Sequence, residues 1–346
     1  MKFIASLWRT AYTASCFVYV FIGGAILSLF YCPCIVLFYR NDQVKINLKT
    51  RKAISICFRF MLHLAKVVGA FDVKVKDLDK VLNDKGLVVV ANHPSFIDYV
   101  MLAAMISDLN CIVKKEMANN IMFRYLLKCA GYISNEDSED KLEEIKSYLN
   151  RGDKLLIFPE GTRTKDENNL KIKRGVAHLA LRCPCSIRVL SIRCNEKFLT
   201  KNNGCFDLYP EKPVFTITSS KLISKDYIIN TFGHEPLSLG ARHLSKELEA
   251  IMKHNISEVI NDCNNIEQEL KVLIIDTLNL EDITPEDIIS EESLFNDGLG
   301  LDSIDALELG LAIKSKYGIT LSQESEEVRK SFYSVKTLSD FIKQNL

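Results

Sequence analysis

Gly86-Leu-Val-Val-Val-Ala-Asn-His-Pro-Ser-Phe-Ile-Asp98 changes character in its middle. Leu87 to Ala91 is a continuous apolar run, the pattern of a parallel strand buried on both faces. Pro94 then favours the first turn of a helix. The stretch therefore reads as a strand, a turn at His93, and a helix reaching Ala104. His93 and Asp98 are five residues apart, about 500° on a continuous helix, which would put them on different faces. A helix that starts after His93 lets them meet. Asp98 can then hold one ring nitrogen, leaving the other as a general base for a hydroxyl.

The same alternation extends outward. Ile54 to Val68 has helical spacing, Val73-Lys-Val75 alternates, and Cys111-Ile-Val113 is a short strand. Glu139 to Asn150 is an amphipathic helix, Lys154 to Phe158 a buried strand, Val176 to Arg182 a helix and Ser186 to Cys194 a strand. Strands alternating with helices predict an α/β domain, a mixed sheet flanked by helices. A charged helix over about Leu239 to His254 closes it, and the Asn-rich stretch Asn255 to Asn265 marks a boundary. Beyond it the pattern is helical only. The domains expected are 1–50 apolar anchoring helices, 51–255 the α/β domain, 256–265 a linker, and 266–346 a helical domain.

Charge divides at the same place. The 44 basic and 44 acidic side chains cancel over the chain. Residues 264–346 hold 7 basic and 17 acidic groups, net −10, so residues 1–263 carry net +10. Two modules of opposite charge suit each other or an anionic surface better than a nucleic acid, which is not an expected partner. The eleven Cys are scattered without a CxxC pair, which predicts mostly buried thiols in a reducing compartment and no metal site. Ala11 to Tyr39 contains no charged residue and is flanked by Lys and Arg on both sides. As one helix it would span roughly 44 Å, beyond the ~30 Å hydrocarbon core. Gly23, Gly24 and Pro33 could instead break it into a hairpin with both ends on one surface. Either form predicts association with membrane lipid.

Two further segments complete the first constellation. Phe158-Pro-Glu-Gly-Thr-Arg163 follows a buried strand, with Gly161 permitting a tight turn and Arg163 offering a fork of donors to an anion. Glu160 could bind a substrate hydroxyl or position Arg163. Lys171-Ile-Lys-Arg-Gly175 opens a helix, placing basic groups and backbone N–H donors near an anion. In this order and spacing the three segments resemble the lysophospholipid and glycerolipid acyltransferases, over about residues 50–220. The resemblance implies that His93, oriented by Asp98, deprotonates an acceptor hydroxyl that attacks an acyl thioester directly. It implies acceptor binding by Glu160, Gly161, Thr162, Arg163, Lys173, Arg174 and Gly175. Two segments depart from the family. Asn135 stands near the Arg usual in members acting on lysophosphatidate, and Cys183-Pro-Cys-Ser-Ile-Arg188 is more basic than the usual apolar segment.

In the acidic part, Ser303 stands at a helix start, with apolar residues at 304, 307 and 311 and at 309, 313 and 317, and Gly318 ending the helix. Ser is a good N-cap, and a helix N-terminus favours a phosphate ester. Leu294-Phe-Asn-Asp-Gly-Leu-Gly-Leu-Asp-Ser-Ile-Asp-Ala-Leu-Glu-Leu resembles the acyl carrier proteins over residues 266–346. That resemblance implies a four-helix bundle with 4′-phosphopantetheine on Ser303, and Asp302, Asp305 and Glu308 as the acidic face read by partners. The wording also resembles carriers of bacterial polyene-pigment clusters.

Together these features predict a bacterial-type fusion of acyltransferase and carrier at the inner membrane, both domains cytoplasmic. It would move an acyl chain from its own Ser303 arm or a free carrier to a hydroxyl or lysolipid acceptor. A phosphopantetheinyl transferase and an acyl synthase or ligase are the implied partners. The alternatives are a 1-acylglycerol-3-phosphate acyltransferase of phospholipid synthesis, and a tethered carrier scaffold with an inactive acyltransferase part.

Overall fold

The computed structural model describes residues 2–135, 139–164, 170–209, 211–280, 283–295, 298–319 and 330–345. Helix α1 (Lys2–Ile26) passes through a π-helical turn (Leu27–Tyr31) into α2 (Cys32–Phe38). The apolar run therefore stays helical throughout, and within Ile4–Phe38 the mean hydropathy reaches 2.3 over an 18-residue window. Pro33 lies in the first turn of α2, immediately after the π turn, where a missing N–H is tolerated. A Cβ at Gly24 would overlap the Phe123 ring, so this glycine admits the ring against the rod.

The chain reverses only after Phe38, and α3 (Gln43–Val67) runs back along the rod. The hydroxyls of Tyr12, Tyr19 and Tyr31 donate to the carbonyls of Met61, Cys57 and Lys49 at 2.9, 3.1 and 3.1 Å. The descending partner numbers make the two helices antiparallel.

The sheet has seven strands: β1 (Asp72–Lys76), β2 (Leu87–Ala91), β3 (Leu109–Val113), β4 (Ile133–Ser134), β5 (Lys154–Ile157), β6 (Ser186–Cys194) and β7 (Val214–Ile223). Their order is β1-β7-β6-β2-β5-β3-β4. Strands β6, β2, β5, β3 and β4 are mutually parallel, while β7 is antiparallel to β6 and carries β1 parallel to itself. Every residue of β2 is buried, as a central parallel strand requires. The sequence reading missed β7. Its core face is supplied by Phe215 and Ile217, alternating with polar residues as in a half-covered strand.

Helices α4 (Leu78–Asn83), α5 (Asp98–Met105), α6 (Lys115–Ala118), α7 (Arg124–Ala130), α8 (Glu139–Asn150), α9 (Gly175–Arg182) and α10 (Lys225–Phe232) connect and flank the strands. Helix α11 spans Leu237–Leu278 and continues through the Asn-rich stretch. Residues 241–278 contain no Gly or Pro, and Asn alone lowers helix propensity without breaking a helix. The chain divides into two compact units, Met1–Ile256 and Ser257–Leu346.

In the second unit, the end of α11, α12 (Ser303–Tyr317) and α13 (Val335–Asn345) surround a core that includes Leu270, Ile274, Leu309, Ile313, Leu338 and Ile342. Residues 320–329 lie outside the described residues, and among those described these are the three long helices of the expected four-helix bundle.

Buried ion pairs line the amino-terminal edge of the sheet. Arg51 on α3 is almost wholly buried and meets Asp153 at 3.2 Å, the Ala130 carbonyl at 2.7 Å and the Asp108 carbonyl at 3.2 Å. Lys154 pairs with Asp108 at 2.7 Å, and Arg188 with Asp84 at 2.5 Å. Arg188 lies opposite Val89 within the sheet. It therefore closes an internal charge pair, and the basic departure of its segment has a structural cause. Replacing Asp153 with Ala would leave the Arg51 guanidinium buried without its carboxylate. Urea unfolding should show a loss of about 3–5 kcal/mol, the usual effect of breaking a buried pair.

Candidate active site

Strands β2 and β5 are hydrogen-bonded neighbours, with Val90 opposite Ile157 at the end of the ladder. Both run the same way, so the loops that follow them leave from one edge of the sheet. Asn92 pins the first loop to β6: its side chain accepts from Ile192 N at 2.7 Å and donates to Ile192 O at 2.8 Å.

His93 follows, and its Nδ1 lies 2.7 Å from Asp98 Oδ2. Asp98 is the first residue of α5, as the early helix start requires. The same Oδ2 accepts from Ser95 N at 2.8 Å. Asp98 is wholly buried, and its Oδ1 has no hydrogen-bond partner. Burial pushes its carboxyl up from 3.8 to about 6, against the opposing pull of His93 and Ser95 N. Asp98 thus engages Nδ1 and leaves Nε2 as the other ring nitrogen. The ring stacks on Phe158 at 4.2 Å between centroids, 20° from parallel.

The second loop supplies Glu160. Its Oε1 accepts from His93 N at 3.1 Å and from the Thr164 hydroxyl at 2.5 Å. Glu160 thus braces His93 rather than Arg163. Burial raises its carboxyl above the ordinary range. Arg163 Nη1 donates to the Leu199 and Thr200 carbonyls at 3.1 and 2.7 Å, and its guanidinium lies 5.9 Å from the Phe96 ring centre.

Gly161 has φ +69°, and a Cβ there would come within 2.5 Å of Lys173 Nζ. The Lys173 ammonium therefore sits against the Gly161 turn, while the backbone N–H of Lys173 donates to the Pro159 carbonyl at 2.9 Å. Thr162 is exposed. Arg174 caps α9 and Gly175 begins it, both exposed. No hydrogen bond or ion pair among the described residues joins these last two to the His93 cluster. Asn135 accepts from Lys115 N at 3.0 Å and so ties the end of β4 to the start of α6.

In the second unit the cap of α12 is Asp302, where the sequence reading considered Ser303. Asp302 Oδ1 accepts from Ile304 N and Asp305 N at 2.7 and 3.0 Å, and Asp305 returns a bond to Asp302 N at 2.8 Å. This reciprocal box leaves Ser303 exposed at the helix start. Glu308 is exposed one turn beyond. The apolar residues of α12 lie on two faces. Leu309 and Ile313 are buried, whereas Ile304, Leu307 and Leu311 are 65, 48 and 62% exposed on the face that begins beside Ser303.

The sequence model of the Acyltransferase family matches residues 72–193, and that of the phosphopantetheine attachment site matches 268–325. The chain joins an acyltransferase domain to an acyl carrier domain. The carrier domain is 38% identical over 79 residues to the acyl carrier protein of Coprothermobacter proteolyticus, covering 88% of that protein and 23% of this chain.

The acyltransferase domain is 31% identical over 154 residues to the 1-acyl-sn-glycerol-3-phosphate acyltransferase of Helicobacter pylori, covering 60% of it and 42% of this chain. It is 26% identical over 156 residues to the alpha enzyme of that name from Mus musculus, covering 54% of it and 43% of this chain. The chain thus spans about half the length of the curated acyltransferases it matches. The crystal structure of the 1-acyl-sn-glycerophosphate acyltransferase of Thermotoga maritima superposes with TM-score 0.54 at 21% identity, covering 98% of that chain and 75% of this one, and shares the fold.

The capping box gives the carrier domain a specific weak point. Asp302→Ala should lower its stability by about 1 kcal/mol, as loss of an N-cap does, measured by thermal melting of the full chain.

Proposed function

We propose that the chain is a lysophospholipid acyltransferase supplied with its acyl group as a carrier thioester. The observation that carries this reading is the His93–Asp98 pair at the carboxyl end of β2, with one ring nitrogen held at 2.7 Å and the other left for a hydroxyl.

His93 Nε2 takes the proton of the acceptor hydroxyl as its oxygen attacks the thioester carbonyl carbon. The C–O bond forms, the tetrahedral centre collapses, and the C–S bond breaks. The leaving thiolate recovers the proton from His93. Asp98 keeps the imidazole in the reactive tautomer and offsets the positive charge that it gains. When attached to Ser303, 4′-phosphopantetheine supplies the thiol that carries the acyl group. Ser303 itself contributes an exposed attachment oxygen, and Asp302, Asp305 and Glu308 contribute acidic groups for recognition by loading enzymes.

Lys173, against the Gly161 turn, is the cation best placed for an acceptor phosphate, in line with the substrates named for the relatives. A second reading rests on Asn135. It is committed to Lys115 N where relatives acting on lysophosphatidate usually carry a cation, which favours another acceptor, as in a polyene-type pathway. The intact His93–Asp98 pair speaks against an inactive scaffold. The rod Ile4–Phe38 exposes Leu29, Phe30, Leu37 and Phe38, and on this reading it lies in the bacterial inner membrane with the catalytic and carrier domains on the cytoplasmic side.

His93→Ala should abolish acyl transfer while leaving phosphopantetheinylation of Ser303 unchanged by intact mass; surviving transfer would sink the enzyme reading. Ser303→Ala separates the donors: unchanged turnover with a free acyl carrier would mean that the fused carrier is not the obligatory source.

The pH profile should have an acid limb near 6. Asp98, raised from 3.8 to about 6, takes up a proton below that point, and kcat should fall about tenfold per unit once it is protonated. Since the native state binds this proton more tightly than the unfolded chain, acidification between those values favours the fold through this group. The limb should therefore appear in activity without loss of folded protein.

A further inference from the structure

The geometry points to Thr164, through its hydroxyl, as the positioning residue that sets the place of His93. The β2–β5 ladder ends at Val90 and Ile157, and beyond it the two loops have no strand pairing to hold them in register. Thr164 replaces that pairing. Its N–H donates to the His93 carbonyl at 2.6 Å, and its Oγ1 accepts from the His93 N–H at 3.1 Å. One residue thus engages both main-chain groups of the catalytic histidine.

The hydroxyl proton has a separate use. It goes to Glu160 Oε1 at 2.5 Å, and the same oxygen lies 3.1 Å from His93 N. His93 N, Thr164 Oγ1 and Glu160 Oε1 therefore form a closed set, with Thr164 buried and His93 and Glu160 half-buried. A hydroxyl is the smallest group that can accept from the amide and donate to the carboxylate at once.

The division of labour around His93 then becomes plain. Asp98 fixes the rotation of the ring and Phe158 its plane, but both act beyond Cβ. Thr164 and Glu160 act on the main chain and so fix where the ring begins. A shift of about 1 Å in a base can cost on the order of 100-fold in rate. Thr164 also directly follows Arg163, whose guanidinium ties the same loop to the carbonyls of Leu199 and Thr200. The loop that carries the acceptor motif is thereby the loop that holds the base.

This inference rests on the acyltransferase reading, and the test separates the two. Holo full-length protein is assayed with a long-chain acyl-carrier thioester and 1-acylglycerol-3-phosphate, alongside His93→Ala, Thr164→Val and Thr164→Ser. Valine keeps the shape and the backbone N–H but removes the hydroxyl; serine restores it. Thr164→Val should lower kcat about 10- to 100-fold with KM for both substrates within about twofold. Thr164→Ser should return most of that loss, and melting temperatures should not follow the ranking of rates. Wild-type kcat in Thr164→Val, a serine variant as slow as the valine one, or a loss confined to KM of the acceptor would each overturn the inference. If Thr164→Val does not fold, Thr164→Ala against Thr164→Ser decides the same question. An active His93→Ala would instead overturn the acyltransferase reading itself.

Discussion

In a parallel strand pair both carboxyl ends meet the same edge of the sheet, however far apart the strands lie in sequence. Here β2 pairs with β5, and the loops after them carry His93 and Glu160. The contact between Glu160 and the His93 N–H at 3.1 Å depends on that pairing. So do the stack of His93 on Phe158 and the two hydrogen bonds between His93 and Thr164. A strand buried on both faces cannot slip in register without exposing apolar side chains, which gives the pairing its rigidity.

Burial shapes the chemistry as well as the stability. Asp98 has no access to water, and one of its oxygens has no partner. An isolated carboxylate in that place would protonate; the bonds from His93 and Ser95 keep its pKa near 6 instead of higher. At the opposite edge of the sheet, Arg51, Lys154 and Arg188 are each buried against a carboxylate. Those pairs fasten α3 and the strand-entry loops. One end of the sheet thus binds the framework, and the other carries the His93–Asp98 pair.

The carrier domain solves a different problem with less structure. Its Ser303 stands at the start of α12 without serving as the helix cap. Asp302 and Asp305 take that role between them and leave Ser303 exposed. Ile304, Leu307 and Leu311 remain outside the core, giving an apolar strip among acidic residues. The zero net charge of the chain hides this contrast between a basic acyltransferase part and an acidic carrier.

The sequence by itself determined the division into two modules, the buried strands β2 and β5, the helix start that brings Asp98 to His93, and the place of Ser303 at a helix start. These are local properties: apolar runs, a proline at a helix start, a charge reversal. Strand β7 had no counterpart among the strands expected from the sequence: it is partnered across the nineteen residues 195–213, and its antiparallel pairing with β6 makes the sheet mixed. Tertiary structure alone decided that Glu160 braces His93, that Arg163 spends donors on Leu199 and Thr200, and that Arg188 answers Asp84 inside the protein. It also turned the wide apolar stripe of α12 into an inner and an outer face. Side chains of the same type and spacing can serve a substrate or a fold, and which they serve depends on what lies within about 3 Å once the strands have paired.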